Sequence, residues 1–313
     1  MQQRDELDAG EAVVPLWRIW LETTRPKTLF AALAPVMTGA AMARADGILN
    51  LPIWLATFSV AVLIQIGTNF CNDVFDHRQG ADTERREGPR RGLQTGRISQ
   101  RAMSFATGIV FGLAAGLSLV LVQRGGMPVI WLALASILSG VFYTAGRYSL
   151  AYTGWADVFV LVFFGPVAVA GTYYLQIPLG WPPPIVFWVG LGPGLIATSL
   201  LAVNNLRDVE EDRSNAKKTL AVRFGRRFSR LEYRVCLVLA LLIPPVAAAA
   251  TGRSLLVFSL WLLIPEARKL IKRVESGTTG KELNPVLGGT GRFLLQYALL
   301  FFVTWPHCAL CWS

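Results

Sequence analysis

Long apolar runs alternate with short polar ones along this chain. Crossing a bilayer takes about 20 mostly apolar residues in a helix. Runs on that scale lie at Leu29–Ala45, Leu51–Asn69, Met103–Val122, Met127–Ala145, Ala156–Ile177, Ile185–Asn205, Leu231–Ala250, Leu255–Ile271 and Phe293–Leu310. They are long and continuously apolar, where barrel strands would be shorter and alternating, and in hydrocarbon the backbone must satisfy its own hydrogen bonds. The pattern predicts an all-α polytopic membrane protein, a bundle of about nine transmembrane helices, as one domain over 1–313 with a polar N-terminal segment at 1–27. The first run contains Pro35 and Arg44. The eighth carries Glu266, Arg268 and Lys269 in its second half and is expected to leave the membrane early. The glycines and proline inside runs, at Gly112, Gly116, Gly190, Gly192, Pro193 and Gly194, are read as close helix approaches or kinks.

Composition agrees with the pattern. The 313 residues are 53% hydrophobic and 16% charged, with a mean hydropathy of +0.45. A soluble domain carries roughly 25% charge, and a disordered chain needs low hydrophobicity, so both classes are excluded. A net charge of +10 would suggest nucleic acid on a soluble protein; on this chain its placement decides. With the predicted spans, 27 of the 30 Lys and Arg residues fall on the N-terminal side, leaving Arg44, Arg124 and Arg253 on the other. The positive-inside rule then puts the N-terminus and the polar loops in the cytoplasm, for a bacterial inner or a thylakoid membrane. No nucleic-acid partner is implied; the lipid bilayer is. The stretch before Thr28 lacks a signal-peptide pattern, so the first span is read as retained, with Arg25-Pro26-Lys27 as an interface anchor and helix start. Two histidines and four cysteines leave little for a zinc site or disulfide framework, and Cys308 and Cys311 read as a chance pair.

Two long polar loops, about Phe70 to Arg101 and Leu206 to Arg230, lie on the cytoplasmic side. Each opens where a span ends, so its first residues sit on a helix, where positions three or four apart share a face. Asn72 and Asp76 are so paired, Asn69, Asp73 and Asp76 form a stripe, and Asn204, Asp208 and Asp212 repeat every four. Facing carboxylates repel, and a divalent cation removes that repulsion. Oxygen donors without His or Cys suit Mg²⁺, which binds through one or two carboxylates plus substrate phosphates. Arg90, Arg91, Lys217 and Lys218 supply cations for the phosphate oxygens that the metal leaves free. The combination reads as a magnesium–diphosphate site at the mouth of a lipid-facing bundle. A transporter, the alternative from another class, is expected to hold its polar residues near the midplane.

These motifs resemble the UbiA-type intramembrane prenyltransferases. That family carries NDxxDxxxD after its second helix and DxxxD after its sixth; here the first begins Asn72-Asp73-Val74-Phe75-Asp76 and the second is Asp208 to Asp212. The last acid of the first motif would fall at Gly80, and Asp82 stands instead. Further stretches resemble the 1,4-dihydroxy-2-naphthoate branch: Gly88-Pro89-Arg90-Arg91-Gly92, Asn204-Asn205-Leu206-Arg207-Asp208 and Leu283-Asn284-Pro285. The basic end of the second loop is most similar to the cyanobacterial and plastid enzymes, which use phytyl diphosphate.

The resemblance implies transfer of a phytyl or polyprenyl group from its diphosphate to 1,4-dihydroxy-2-naphthoate, with loss of CO₂ and diphosphate, in phylloquinone or menaquinone biosynthesis. It implies Mg²⁺, with Mn²⁺ as a substitute, on Asp73, Asp76, Asp82, Asp208 and Asp212, of which Asp76, Asp208 and Asp212 are the catalytic acids. Substrate contacts are implied at Asn72, Arg90, Arg91, Asn204, Asn205, Lys217 and Lys218, and at Tyr143 and Arg147, which resemble a family Tyr-plus-basic pair near the diphosphate. A sibling enzyme with another aromatic or a tetrapyrrole acceptor shares these motifs.

Overall fold

The computed structural model of the chain describes residues 15–78, 92–94, 96–144, 149–177, 180–252 and 255–305, and every regular element among them is helical. In order these are α1 (Leu16–Thr23), α2 (Pro26–Ala45), α3 (Leu51–Arg78), α4 (Gln100–Gly125), α5 (Met127–Phe142), α6 (Leu150–Thr153), α7 (Ala156–Gln176), α8 (Pro184–Arg207), α9 (Val209–Ser214), α10 (Leu220–Ala250), α11 (Ile264–Glu275) and α12 (Asn284–Thr304). Among the described residues seven segments, built on α2, α3, α4, α7, α8, α10 and α12, are long and apolar enough to cross a membrane.

Two expected spans come out differently. The fourth is α5, whose 16 residues reach only about 24 Å at 1.5 Å per residue. The eighth divides into a 3₁₀ segment, Leu255–Leu263, and α11. In α11 the residues Ala267, Leu270 and Val274 are buried while Arg268, Lys269, Lys272 and Arg273 are exposed. That arrangement is a basic amphipathic helix, whose charged face hydrocarbon would not solvate. The N-terminal polar segment also contains a helix. In α1, Ile19 joins the apolar cluster of Phe70, Val74, Leu93, Ile98 and Met103, leaving Leu16, Trp17 and Leu21 exposed.

The helix α8 is the axis of the bundle. Its residues from Gly192 to Leu200 are all buried, and it packs on α2, α7, α10 and α12. Glycine makes the tightest of these approaches possible. A Cβ on Gly194 would stand 2.5 Å from the Leu161 carbonyl oxygen and 2.9 Å from Gly165 Cα, and one on Gly190 would stand 2.8 Å from Pro166 Cα. The two backbones meet where α7 makes a π-turn over Phe163–Val167. Pro166 has no N–H for the regular ladder, and the wider turn absorbs the break. Gly192 accommodates the Tyr297 hydroxyl, 2.0 Å from where its Cβ would be. Gly112 and Gly116 do not follow the expectation: on the largely exposed α4, a Cβ at either would meet nothing within 4 Å.

Candidate active site

The C-terminal end of α3 carries Asn69, Asn72, Asp73 and Asp76, all buried. The helix stays regular through Arg78, so the one-turn spacing read from the sequence holds. What clamps these side chains comes from elsewhere. Arg25 Nη2 makes an ion pair with Asp73 Oδ1. Asn69 Nδ2 donates to the Thr24 carbonyl at 2.9 Å and to Thr28 Oγ1 at 3.3 Å, and Thr144 Oγ1 donates to Asn72 Oδ1. Arg25 occupies the left-handed region, φ 54°, as the residue capping α2 ahead of Pro26. That backbone costs a non-glycine residue roughly 1–2 kcal/mol, which the ion pair with a buried carboxylate offsets.

The second motif bridges a helix break. Asp208 closes α8 and opens α9, with φ −94° and ψ 11°. The Asp208 amide still donates to the Asn204 carbonyl at 3.1 Å, and the Asp212 amide to the Asp208 carbonyl at 2.8 Å, so the four-residue rise continues through the break. Arg207 organises this corner. Its Nε and Nη2 each lie 2.6 Å from an Asp208 carboxylate oxygen, while Nη2 also donates to Asn204 Oδ1 at 2.8 Å and Nη1 to Asn284 Oδ1 at 2.9 Å.

Lys217 joins the two motifs. Its ammonium lies 3.9 Å from Asp76 Oδ1 and 3.8 Å from Asp212 Oδ1, above the Tyr152 ring at 5.3 Å. Burial pushes the Asp212 carboxyl from an ordinary 3.8 up to about 7; Lys217 opposes the rise, and the charges of Asp208, Glu211 and Asp76 add to it. Lys218 turns its side chain outward while its amide donates to the Tyr152 carbonyl at 3.1 Å. Asn205 is buried in α8. The calls at Asp82, Arg90, Arg91 and Arg147 lie outside the described residues.

Among the described residues no three His, Cys, Asp or Glu side chains converge as a ready metal cluster. Asp76 and Asp212 are the acids that share one cation, the Lys217 ammonium. Two buried carboxylates facing one positive charge fit Mg²⁺, which takes one or two carboxylates and completes its octahedron with phosphate and water. Asp73 and Asp208 are engaged by arginines, which sequence spacing did not anticipate.

Below these acids the bundle holds a partly open cavity of about 350 Å³. Arg25, Asn69, Asn72, Tyr143 and Asn204 line its polar end, and the rest is mostly apolar, including Phe159, Phe163 and Phe164 of α7. A polar, acid-flanked mouth on a long greasy chamber matches an amphiphile with an anionic head.

Comparison with known proteins gives the family. Residues 32–277 match the model of the UbiA prenyltransferase family. The chain belongs to that family. Similar relatives are the 1,4-dihydroxy-2-naphthoate octaprenyltransferases of Haemophilus influenzae, 35% identical over 91% of this chain and 94% of that protein, and of Escherichia coli, 36% identical over 90% and 93%. The fold is similar to that of a UbiA homolog from Archaeoglobus fulgidus solved with DMAPP and Mg²⁺, with a TM-score of 0.63 at 15% identity, covering 91% of this chain and 98% of that one. A UbiA homolog from Aeropyrum pernix aligns with a TM-score of 0.68 at 12% identity, over 88% and 97%. The chain is an integral membrane protein of this family, and the stretches Asn72 to Asp76 and Asp208 to Asp212 that resemble its motifs lie at the two acid-bearing corners.

Arg25, Thr144, Tyr152 and Arg207 reach these corners without having been singled out for the site. Arg25 read as an interface anchor ahead of Pro26, and Arg207 stood within the stretch from Asn204 to Asp208 that resembles the family branch, without a role of its own.

Proposed function

We propose that the chain transfers a prenyl group from its diphosphate to 1,4-dihydroxy-2-naphthoate, releasing diphosphate and CO₂, in menaquinone or phylloquinone biosynthesis. The observation that carries this reading is the pair Asp76 and Asp212, joined by Lys217, with Asp76 one helical turn beyond Asn72, which lines the apolar cavity. Relatives of that printed activity, aligned over nine-tenths of both chains, support the acceptor.

In this reading Mg²⁺ ions, with Mn²⁺ as a substitute, would be held among Asp73, Asp76, Asp82, Asp208 and Asp212, with Asp76 and Asp212 supplying the two carboxylates that one such ion takes. When bound, the ion neutralises charge that develops on the departing diphosphate. Lys217 and Arg25 contribute fixed positive charge on the same side, which is worth most where water is excluded. Arg90, Arg91 and Lys218 bring further cations to the diphosphate from the loops. The apolar cavity walls keep water from the allylic cation. Asn72, Asn204 and Asn205 position the substrates at the polar end, and Tyr143 and Arg147 serve the diphosphate. The electron-rich ring then bonds to the prenyl carbon and loses its carboxyl as CO₂. The mouth faces the cytoplasm, where the basic loops belong, and the donor is phytyl or polyprenyl diphosphate.

The test is a membrane assay offering dihydroxynaphthoate with phytyl and with octaprenyl diphosphate. A prenylated naphthoquinol is expected with one diphosphate released per turnover, abolished by chelation and restored by Mg²⁺ or Mn²⁺. Transfer that survives exhaustive chelation, or that proceeds only onto hydroxybenzoate or a tetrapyrrole, overturns the reading.

A further inference from the structure

The cavity ends on a wall that the chemistry above leaves without a task. Val60 on α3, Leu121 on α4, Val129 on α5 and Leu175 on α7 line its deep end, and these four buried side chains pack as one apolar cluster. Polar contacts pin the wall from behind. Arg124 Nε and Nη2 donate to the Leu175 and Gln176 carbonyls at 2.9 and 3.2 Å, and Tyr174 Oη donates to the Gly125 carbonyl at 2.8 Å. The turn between α4 and α5 is thereby tied to the last turn of α7. It is also close-packed: a Cβ on Gly125 would stand 2.4 Å from Val129 Cγ2.

The depth of the chamber follows from helix geometry. Asn72 at the polar end and Val60 at the wall lie on the same helix, and at 1.5 Å per residue their separation is about 18 Å. Extended covalent chain covers roughly 3.5 Å per three bonds, so an isoprene unit of four bonds spans roughly 4.5 Å. The chamber therefore takes about four units in a straight tail. An eight-unit tail, roughly 36 Å long at that rate, exceeds even the ~30 Å hydrocarbon core of the bilayer.

We propose that Val60, Leu121, Val129 and Leu175 form a floor that sets donor length, so that a tail of about four isoprene units runs from the diphosphate site to this wall and fills the chamber. The inference rests on the proposed function for the donor being a prenyl diphosphate, and not on the identity of the acceptor. Each unit up to the fourth adds buried apolar surface and tightens binding; units beyond it gain nothing from the floor and must turn aside.

The full chain in liposomes tests this with geranyl, farnesyl, geranylgeranyl, five-unit and octaprenyl diphosphates. Two readouts are taken: transfer to dihydroxynaphthoate, and donor protection against thermal unfolding without acceptor. In the unaltered protein, protection should rise to the four-unit donor and rise no further with the octaprenyl one. Val129→Phe fills the floor; kcat/KM for the four-unit donor should fall more than tenfold while that for geranyl diphosphate stays within twofold, which also shows the variant to be folded. Leu175→Ala deepens the floor and should raise the five-unit to four-unit ratio at least threefold. If Val129→Phe weakens two-unit and four-unit donors equally, or Leu175→Ala leaves the ratio unchanged, the floor is not the length determinant. Protection that follows tail length without transfer to dihydroxynaphthoate supports the floor and refutes the acceptor.

Discussion

Arg207→Lys keeps a positive charge and removes a planar fork, and the second motif should not survive the exchange intact. The guanidinium serves both oxygens of Asp208 and, through its remaining donors, Asn204 and Asn284. Only 5% of the Arg207 side chain and 14% of the Asp208 side chain are exposed. An ammonium on a flexible stem cannot reproduce a bidentate contact and two amide contacts at once. A hydrogen bond to a charged group contributes about 1.5–3 kcal/mol, and breaking a buried pair by removing one partner costs about 3–5 kcal/mol. Arg207→Ala should therefore lose about 3–5 kcal/mol of stability, and Arg207→Lys about 1.5–3 kcal/mol. Thermal unfolding in mild detergent measures this, alongside prenyl transfer in liposomes. Because Asn204 lines the cavity and Asp208 begins the second acid motif, turnover in Arg207→Lys should drop more than tenfold in protein that still melts cooperatively. A double-mutant cycle with Asn284→Ala should show coupling of about 0.5–3 kcal/mol, as for groups in one network. Native turnover and melting in Arg207→Lys, or additivity within about 0.3 kcal/mol, would refute the organising role.

Asp76→Ala or Asp208→Ala should abolish prenyl transfer and leave the protein folded in membranes; near-normal turnover in either removes it from the catalytic set. In chelator, the neutral form of Asp212 is favoured by folding, because burial raises its carboxyl from 3.8 to about 7. The folded state then keeps a proton that the unfolded chain releases, so the melting temperature should decline as pH rises through that window. Asp212→Asn should flatten the decline, and an unchanged slope in that variant shows the dependence to lie elsewhere. Gly194→Ala places a methyl 2.5 Å from the Leu161 carbonyl oxygen and should cost about 1–3 kcal/mol or more by overpacking. Gly112→Ala, with nothing within 4 Å of the added carbon, serves as its control, and equal melting of the two variants contradicts the backbone contact between α7 and α8.

The chain's local properties were legible from its residues. Apolar runs of membrane length determined an all-helical bundle, because hydrocarbon leaves the backbone no other partner. Spacing by four put Asn72 and Asp76 on one face, because α3 continues unbroken through Arg78. The family motifs named the acids that Lys217 was found to join. Local reading ran out where a helix departs from uniformity. The basic residues of Ile264–Glu275 turned an expected span into an amphipathic helix, and Asp208 proved to be a helix junction.

Packing between distant segments decided the rest. Arg25 meets Asp73 across 48 positions and Arg207 meets Asn284 across 77, and no periodicity encodes which base pairs with which acid. The same holds for the floor of the cavity, where α3, α4, α5 and α7 each supply one ordinary apolar residue. A valine or leucine in a membrane span carries no mark of facing lipid, protein or substrate. Hydrophobicity places it in the membrane, and only the neighbours brought by the fold determine what it touches.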